Sequence, residues 1–433
     1  RLCHLGVALD AQPIAAQPAR AIRRRECHEA ERRARGAGQH RTDWRVDVGS
    51  VADGTSDGTG VGGLNVALKL EARPQPSRWM SLASPVLALA ITVLIGIGLF
   101  VLLGKDPVKG LQVFFYEPLK SLYALSELSV KATPLILIAL GLAVCFRSNV
   151  WNIGAEGQFV VGALCAGWVA MQAGPDTAWL GRGIVVPILL AGMLGGMVWG
   201  GLVALLRDRF NANEILVSLM LVYVAEMLLS YLVYGPWKDP KGYNFPQTIT
   251  FLPETKIPRL VPNLRAHIGL VIALVAVGVF WAFLFRTYRG FALQVGGLAP
   301  AAARYAGFSS RSALWTALLV SGGMAGLAGG LEAAGPLGQL TPYVPAGYGF
   351  AAIIVAYVGR LHPVGIIFSG VLMSLFYIGG ELAQSRLGLP KSLTGVFQGL
   401  LLFTLLACDT LIHYRVKWVR PAGSAAPSQR GVG

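Results

Sequence analysis

The sequence predicts an all-α protein, a bundle of about ten helices that crosses a membrane and leaves both ends of the chain in the cytoplasm. Hydrophobic residues make up 54% of the 433 residues and charged residues only 14%, and the mean hydropathy is +0.57. Soluble domains carry roughly 25% charged residues, so this composition excludes a soluble protein. The abundance of Leu, Ile and Val also excludes disorder for most of the chain.

Three regions of the chain differ in composition. Residues 1–79 hold 13 Lys and Arg residues and 9 Asp and Glu residues, without a signal-peptide core or a sustained helix or strand period. We expect this region to be a disordered or spuriously translated extension, with translation starting between about Val66 and Met80; a basic cytoplasmic tail is the alternative. Residues 80–414 form the predicted transmembrane domain, and residues 415–433 form a basic cytoplasmic tail.

Ten stretches with almost no charge predict the membrane helices, because about 20 apolar residues span roughly 30 Å of hydrocarbon. The second stretch is short, between Lys131 and Arg147. The eighth is the weakest, because its glycines disfavour a helix. In chain order the stretches are residues 83–103, 132–146, 158–173, 184–206, 215–234, 268–285, 313–331, 346–358, 364–380 and 393–407.

Basic residues orient the predicted bundle. With the amino terminus inside, the even-numbered loops are cytoplasmic and rich in arginine, whereas the outer loops mix both signs of charge. The basic residues on the inner side are Arg147, Arg207, Arg209, Arg286, Arg289, Arg304, Arg311, Arg360, Arg415, Lys417 and Arg420. The longest outer loop, residues 235–267, contains six prolines and is predicted to form a structured external cap or docking surface.

No pattern in the sequence predicts catalysis, a metal or a cofactor. The chain lacks the phosphate-binding loop G-x-x-x-x-G-K-[ST] and the motifs H-E-x-x-H and G-x-S-x-G. Its five cysteines show no CxxC spacing. Cytoplasmic loops account for the net charge of +15, so nucleic acid is not an expected partner.

A polar segment between the second and third predicted helices is the main candidate site. Residues 147–158 read RSNVWNIGAEGQ, and polar groups at this density cannot face lipid. The segment predicts a broken or re-entrant backbone beside a translocation pathway; the alternative is an ordinary cytoplasmic loop in which Asn and Gly cap and turn helices. The candidate pathway residues, including the only carboxylate well inside a predicted span, are Asn149, Asn152, Gly154, Glu156, Gly157, Gln158 and Glu226.

The buried position predicted for Glu226 requires a partner, a water-filled cavity or a proton. Two interpretations stay open. The carboxylate hydrogen-bonds the hydroxyl groups of a substrate, or it pairs across a helix interface with a second membrane subunit.

Three segments, in order along the chain, carry a resemblance to a known family. They read SNVWNIGAEGQFVVGA from Ser148, NEILVSLMLVYVAEMLLSYLVYGPWKDP from Asn213, and RTYRGFALQVGGLAPAAARYAG from Arg286. They resemble the inner-membrane permeases of ABC importers for simple sugars and nucleosides, in the larger family that includes branched-chain amino acid permeases, with the nucleoside type closest. The resemblance covers about residues 70–420, and residues 1–63 have no counterpart in it.

The resemblance implies a permease subunit, not itself an enzyme, in the bacterial cytoplasmic (inner) membrane. It would pair with a second permease, rest on a separate ABC ATPase subunit and receive a small neutral solute from an extracytoplasmic substrate-binding lipoprotein. A nucleoside is the expected solute. The alternatives are a sugar or branched-chain amino acid permease and, from another class, a stand-alone secondary transporter.

The resemblance also identifies the loop at residues 286–311 as the main contact with the ATPase. Within it, residues 300–305 are predicted to form a short helix, because proline suits a first helical position and the alanines favour helix. An amphipathic helix held at the membrane surface is the alternative. The implied coupling residues are Gly290, Ala301, Ala302, Ala303, Arg304 and Tyr305.

Overall fold

A computed structural model describes residues 67–72, 78–174, 181, 183–390 and 392–419. The chain divides into two units, one that includes residues 67–72 and 414–419, and one within residues 73–413. Most of the predicted terminal extension, residues 1–66, and residues 420–433 of the predicted tail lie outside the described residues.

The smaller unit contains a short antiparallel ribbon that the sequence analysis did not predict. Strand β1, Ala67–Ala72, pairs with strand β2, Tyr414–Val419, so that Ala67 lies opposite Val419 and Ala72 lies opposite Tyr414. The two strands come from the two regions that were assigned to an extension and a tail.

The larger unit is a helical bundle, and every predicted span is a helix in it. Among the described residues, eight helices are long and apolar enough to cross a membrane, and two apolar helices, α4 and α11, are shorter. The helices are α1 Arg78–Leu102, α2 Pro107–Leu111, α3 Leu122–Arg147, α4 Ala155–Met171, α5 Val185–Phe210, α6 Glu214–Tyr234, α7 Gly269–Arg286, α8 Tyr288–Leu298, α9 Pro300–Tyr305, α10 Ser310–Glu332, α11 Tyr348–Val358, α12 Pro363–Leu387 and α13 Ser392–His413.

Helix α3 is the central helix of the bundle and is longer than predicted. The expectation of a short helix between Lys131 and Arg147 was wrong, because the helix begins at Leu122, capped by the hydroxyl of Ser121. Lys131 does not end it, since its ammonium group pairs with the carboxylate of Glu381 at 3.2 Å. A charge inside a membrane helix is tolerated when another helix neutralises it.

Small residues let three helices approach to backbone contact. A Cβ atom added at Gly162 of α4 would lie 2.3 Å from the Cα atom of Gly326 in α10, and one added at Gly196 of α5 would lie 2.1 Å from the carbonyl oxygen of Gly322. Membrane helices gain van der Waals contact and not hydrophobic burial when they associate, so close approach is their main source of stability. Helices α4, α5 and α10 therefore form a tightly packed core.

Replacement of Gly326 by alanine tests this close packing. The new Cβ atom would lie 2.2 Å from the carbonyl oxygen of Gly192, so the helices must separate, at a cost of roughly 1–3 kcal/mol. We expect a lower melting temperature in detergent. Gly278→Ala in α7 is the control, because no atom lies within 4 Å of the added carbon; equal melting of the two variants would contradict the proposed packing.

The long outer loop is held against the segment that follows α10, in agreement with the prediction of a structured cap. Backbone N–H groups of Thr248, Phe251 and Ile257 donate to the carbonyl oxygens of residues 340, 338 and 334 at 3.0, 2.8 and 3.0 Å. At the end of the loop, the buried imidazole of His267 accepts a hydrogen bond through Nδ1 from the N–H of Gly269 at 3.1 Å. Its Nε2 atom has no hydrogen-bond partner among the described residues.

The burial of His267 predicts a pH-dependent stability. Desolvation lowers the pKa of the imidazole to about 4, from an ordinary value of roughly 6.5. Because the folded pKa is the lower one, the neutral ring stabilises the fold fully above about pH 6.5, and this contribution is lost as the pH falls through 4. We expect a loss of roughly 1–3 kcal/mol over this window, measured as a fall in melting temperature in detergent.

The matched control is His267→Asn, whose side-chain oxygen can replace Nδ1 as the acceptor but does not titrate. The variant should melt at a temperature that depends less on pH between 6.5 and 4. A pH dependence identical to that of the unaltered chain would contradict the assignment to this residue.

Candidate functional site

The polar segment is a break between two helices, buried in the protein. Helix α3 ends at Arg147, the backbone takes a left-handed turn at Asn149 with φ 57°, and α4 begins after Gly154. Asn149 itself is exposed, while Asn152 is buried. The broken backbone that the sequence predicts is present, and it lies where helices α3, α6 and α10 meet.

A network of amide side chains holds this break. The amides of Asn152 and Gln158 form a reciprocal pair, at 3.0 Å and 3.3 Å. The Asn152 amide nitrogen also donates to the hydroxyl of Ser321 in α10 at 3.0 Å, and its oxygen accepts from the N–H of Gly154 at 3.1 Å. Both side chains are fully buried. Since their polar groups have partners within the chain, they stabilise the break and do not face open space in this state.

The carboxylate of Glu156 caps helix α11. It accepts hydrogen bonds from the N–H groups of Gly347, at 2.8 Å, and of Gly349. The residue is only 1% exposed. The first N–H groups of a helix have no partner within the helix and form the positive end of its dipole, so a buried carboxylate is well placed there. A Cβ atom at position 349 would lie 2.2 Å from the nitrogen of Glu156, so only glycine allows the approach.

Helix α11 is therefore a half-helix that starts inside the bundle. Its 11 residues extend about 16 Å, roughly half the thickness of the hydrocarbon layer. The preceding segment, residues 338–347, is irregular. Sequence reasoning treated the glycines here only as weak helix formers, although Gly347 at φ 77° marks the turn that starts the helix.

The remaining glycines of the segment permit contact with α6. A Cβ atom at Gly154 would lie 2.7 Å from the carbonyl oxygen of Ser218, and one at Gly157 would lie 3.0 Å from the Cα atom of Val222. The Ser218 hydroxyl also accepts from the N–H of Ile153 at 3.3 Å. The segment is thus clamped between α6 on one side and α10 on the other.

Two carboxylates are buried more deeply in the bundle than Glu226. Glu156 is 1% exposed and Glu332, near the end of α10, is 7% exposed, whereas Glu226 is half-buried. Glu332 was missed because it ends an apolar run and looked like a boundary. Glu226 lies close enough to Glu156 for their charges to interact.

The predicted coupling loop contains the predicted short helix. Helix α9 spans Pro300–Tyr305, as expected, and follows α8. Ala301, Ala302, Arg304 and Tyr305 are exposed, whereas Ala303 is buried. Gly290 faces inward, since a Cβ atom there would lie 2.1 Å from the carbonyl oxygen of Phe283. The exposed residues form one outer surface, and the two buried ones hold the loop to the bundle.

Arg147 connects the coupling loop to the polar break. Its guanidinium group donates to the side-chain oxygen of Gln294 in α8 at 3.0 Å and to the carbonyl oxygen of Leu361 at 2.8 Å. The Gln294 amide nitrogen donates in turn to the carbonyl oxygen of Leu284 in α7 at 2.7 Å. A Cβ atom at Gly297 would lie 2.2 Å from the carbonyl oxygen of Arg147. Helix α8 therefore rests directly on the residue where the break begins.

The central part of the chain matches a known transport family. The model of the permease component of branched-chain amino acid transport systems covers residues 124–406, which include both groups of candidate residues. The chain belongs to this permease family. The resemblance stated from the sequence is confirmed, and the permease is a multi-pass membrane protein. No solved structure matches it at a significant level.

Curated relatives of the permease are subunits of ABC transporters. It is 34% identical over 365 residues to the glucose ABC transporter permease protein of Haloferax volcanii. The aligned region covers 82% of this chain and 94% of that protein. It is 28% identical over 329 residues to a guanosine ABC transporter permease protein of Bacillus subtilis, with 74% and 91% covered. A nucleoside ABC transporter permease protein of Lactococcus lactis is 26% identical over 333 residues, with 74% and 89% covered.

The geometry around Glu156 predicts that this residue matters for folding. In Glu156→Ala the N–H groups of Gly347 and Gly349 lose their acceptor inside the protein, which costs roughly 2–4 kcal/mol. We expect a marked fall in melting temperature in detergent and a smaller one for Glu156→Gln, which keeps one acceptor oxygen. Glu254→Gln is the control, because that carboxylate is exposed and lies in the outer loop, away from α11. An unchanged melting temperature of Glu156→Ala would contradict the capping role.

Proposed function

We propose that the chain is the pore-forming permease subunit of an ABC importer that moves a nucleoside across the cytoplasmic membrane of a bacterium. The observation that carries the proposal is the family match, combined with the relatives that are named for guanosine and nucleosides. The buried break at Asn152 and the half-helix α11 support it, because transporters place irregular backbone where the solute passes. The role of these residues in translocation is part of the proposal.

Import also requires partners that this chain does not supply. The sequence has no phosphate-binding loop, so ATP hydrolysis is assigned to a separate ATPase subunit. Bacillus subtilis has a second guanosine permease protein that also resembles this chain, which favours a pair of different permeases. A substrate-binding lipoprotein outside the membrane completes the proposed importer, with the outer loop at residues 235–267 as its docking surface.

Coupling to the ATPase is proposed to run through the outer surface of α9 and then through α8 to Arg147. The surface of Ala301, Ala302, Arg304 and Tyr305 is exposed and would bind the ATPase. Gln294 joins α8 to the end of α3, so a displacement of α8 reaches the polar break without an intervening loop. If α9 served only to hold the loop at the membrane surface, the hydrogen bond between Arg147 and Gln294 would not be required.

Two substitutions separate docking from transmission. Ala302→Glu places a charge on the exposed surface of α9 and should weaken binding of the ATPase subunit, measured by co-purification. Gln294→Leu should leave co-purification intact but lower substrate-stimulated ATP hydrolysis about fivefold or more, because Arg147 loses its contact to α8. Normal stimulation in Gln294→Leu would show that this hydrogen bond does not transmit the signal.

Uptake competition tests the solute. The complete importer, reconstituted in vesicles with ATP inside, should take up labelled guanosine, and unlabelled nucleosides should compete whereas leucine should not. Competition by leucine alone would overturn the proposal. The similarity to the glucose permease of Haloferax volcanii makes a sugar the second candidate, and it predicts that glucose, and not guanosine, is taken up.

A further inference from the structure

A second group of polar side chains, apart from the Asn152 amide network, surrounds the start of α11. We call it the tyrosine cluster. It combines residues of helices α3, α10, α11, α12 and α13, which are Lys131, Glu332, Tyr348, Tyr377, Glu381 and Gln398. Nothing in the sequence analysis singled it out, because its members lie far apart in the chain.

The two tyrosines form the centre of the cluster. The rings of Tyr348 and Tyr377 lie 5.4 Å apart at an angle of 55°. The ammonium group of Lys131 lies 5.7 Å from the centre of the Tyr348 ring and 3.2 Å from the carboxylate of Glu381. Aromatic rings, a cation and carboxylates are thus combined in one small volume among membrane helices.

Within the part of the chain that the structure describes, two hydrogen-bonding groups of the cluster lack partners. Tyr348 is 1% exposed, and its hydroxyl makes no hydrogen bond of good geometry, although it lies near Glu332. The buried amide nitrogen of Gln398 also lacks a partner, although the Tyr377 hydroxyl is close. A buried polar group without a partner costs roughly 1–3 kcal/mol. The Asn152 network and Glu156 have such partners, so the deficit distinguishes this cluster from the polar break.

Glu332 lies near positive charges but forms no ion pair with Lys131. Lys131 and Arg265 are close enough to stabilise its carboxylate electrostatically, yet the Lys131 ammonium makes its ion pair with Glu381 instead. A carboxylate can accept about four hydrogen bonds, so Glu332, beside the single hydroxyl of Tyr348, keeps capacity for further donors. A buried carboxylate of this kind suits a pair of adjacent hydroxyl groups.

One edge of the cluster reaches the protein surface. The side chain of Glu381 is 57% exposed, and the hydroxyl of Tyr377 donates to the carbonyl oxygen of Ala346, which lies at the surface. Glu381 lies six residues before the end of α12, or about 9 Å along the helix. Exposed charge at such a position faces water or another subunit, since lipid would disfavour it. This is the edge from which a solute would reach Tyr348 and Glu332.

We propose that the tyrosine cluster is a solute-binding site that recognises adjacent hydroxyl groups, such as those of a ribose or hexose ring. Glu332 accepts from the two hydroxyls, and the Tyr348 hydroxyl and the Gln398 amide donate to oxygen atoms of the sugar. The Tyr377 ring packs against the apolar face of the sugar. The inference rests on the proposed import function and concerns which chemical groups of the solute the permease recognises.

The test compares a hydroxylated solute with an analogue that lacks the hydroxyls. The complete importer, with its second permease, ATPase and binding protein, is reconstituted with Tyr348→Phe or Glu332→Gln in this chain. Initial uptake of guanosine and of 2′,3′-dideoxyguanosine is measured, and each variant rate is divided by the unaltered rate for the same solute. This ratio cancels any preference of the binding protein.

We expect guanosine uptake to fall about tenfold or more in both variants, while uptake of the dideoxy analogue changes less than twofold. Tyr357→Phe is the matched control, because it removes a hydroxyl from the other end of α11 and should affect both solutes equally. Melting temperatures in detergent verify that all variants fold.

Equal falls for both solutes would assign the cluster to the folding or movement of α11 and would overturn the proposal, as would unchanged uptake of both. If the unaltered importer takes up glucose and not guanosine, glucose and its 2,3-dideoxy analogue replace the nucleosides. The nucleoside proposal then fails while the site is still tested. Uptake of leucine alone would overturn both the nucleoside proposal and the solute site. This result would be seen with the unaltered importer, before any variant is tested.

Discussion

A single buried carboxylate allows a helix to start inside the bundle, and the interior of the permease depends on it. In a membrane every backbone N–H group must find its partner within the protein. Glu156 provides acceptors for the N–H groups of Gly347 and Gly349. The start of α11 is thereby anchored to the start of α4, and Tyr348 is held beside Glu332. Without this carboxylate, the half-helix would have an unpaired and positively polarised end in an apolar surrounding.

The break between α3 and α4 connects the proposed ATPase surface to the half-helix α11. Arg147 at its first end contacts α8 through Gln294, and Asn152 and Glu156 at its other end contact α10 and the start of α11. These contacts fall within ten residues of continuous chain. A displacement at the proposed ATPase surface therefore acts on the half-helix directly, through hydrogen bonds whose partners are known.

The bundle has a rigid side and a polar side. Helices α4, α5 and α10 meet through glycines at backbone distance, which leaves little room for relative movement. Around α11, α12 and α13 the contacts include aromatic rings, an ion pair and unpartnered polar groups. Polar groups without partners are poorly stabilised in one arrangement, so a change between two arrangements costs less there. This contrast is the physical reason for proposing the solute site on the polar side.

The sequence by itself determined the features that depend on local composition. The apolar stretches located ten helices of the described chain, eight of which are long enough to cross a membrane, because insertion in a membrane is governed by the length of an apolar run. The short helix Pro300–Tyr305 followed from a proline at its first position and the alanines after it. The density of Asn, Gly and Glu in residues 147–158 likewise located the break, since such groups cannot face lipid.

Only the tertiary structure decided what those polar groups contact. The start of α3 at Leu122 depends on a partner for Lys131 in α12, and the capping of α11 joins residues 191 positions apart. The burial of Glu332 depends on helices far from it in sequence. The energy of a charge in a membrane is set by its partners and not by its neighbours along the chain, and for this reason a single sequence does not specify these contacts.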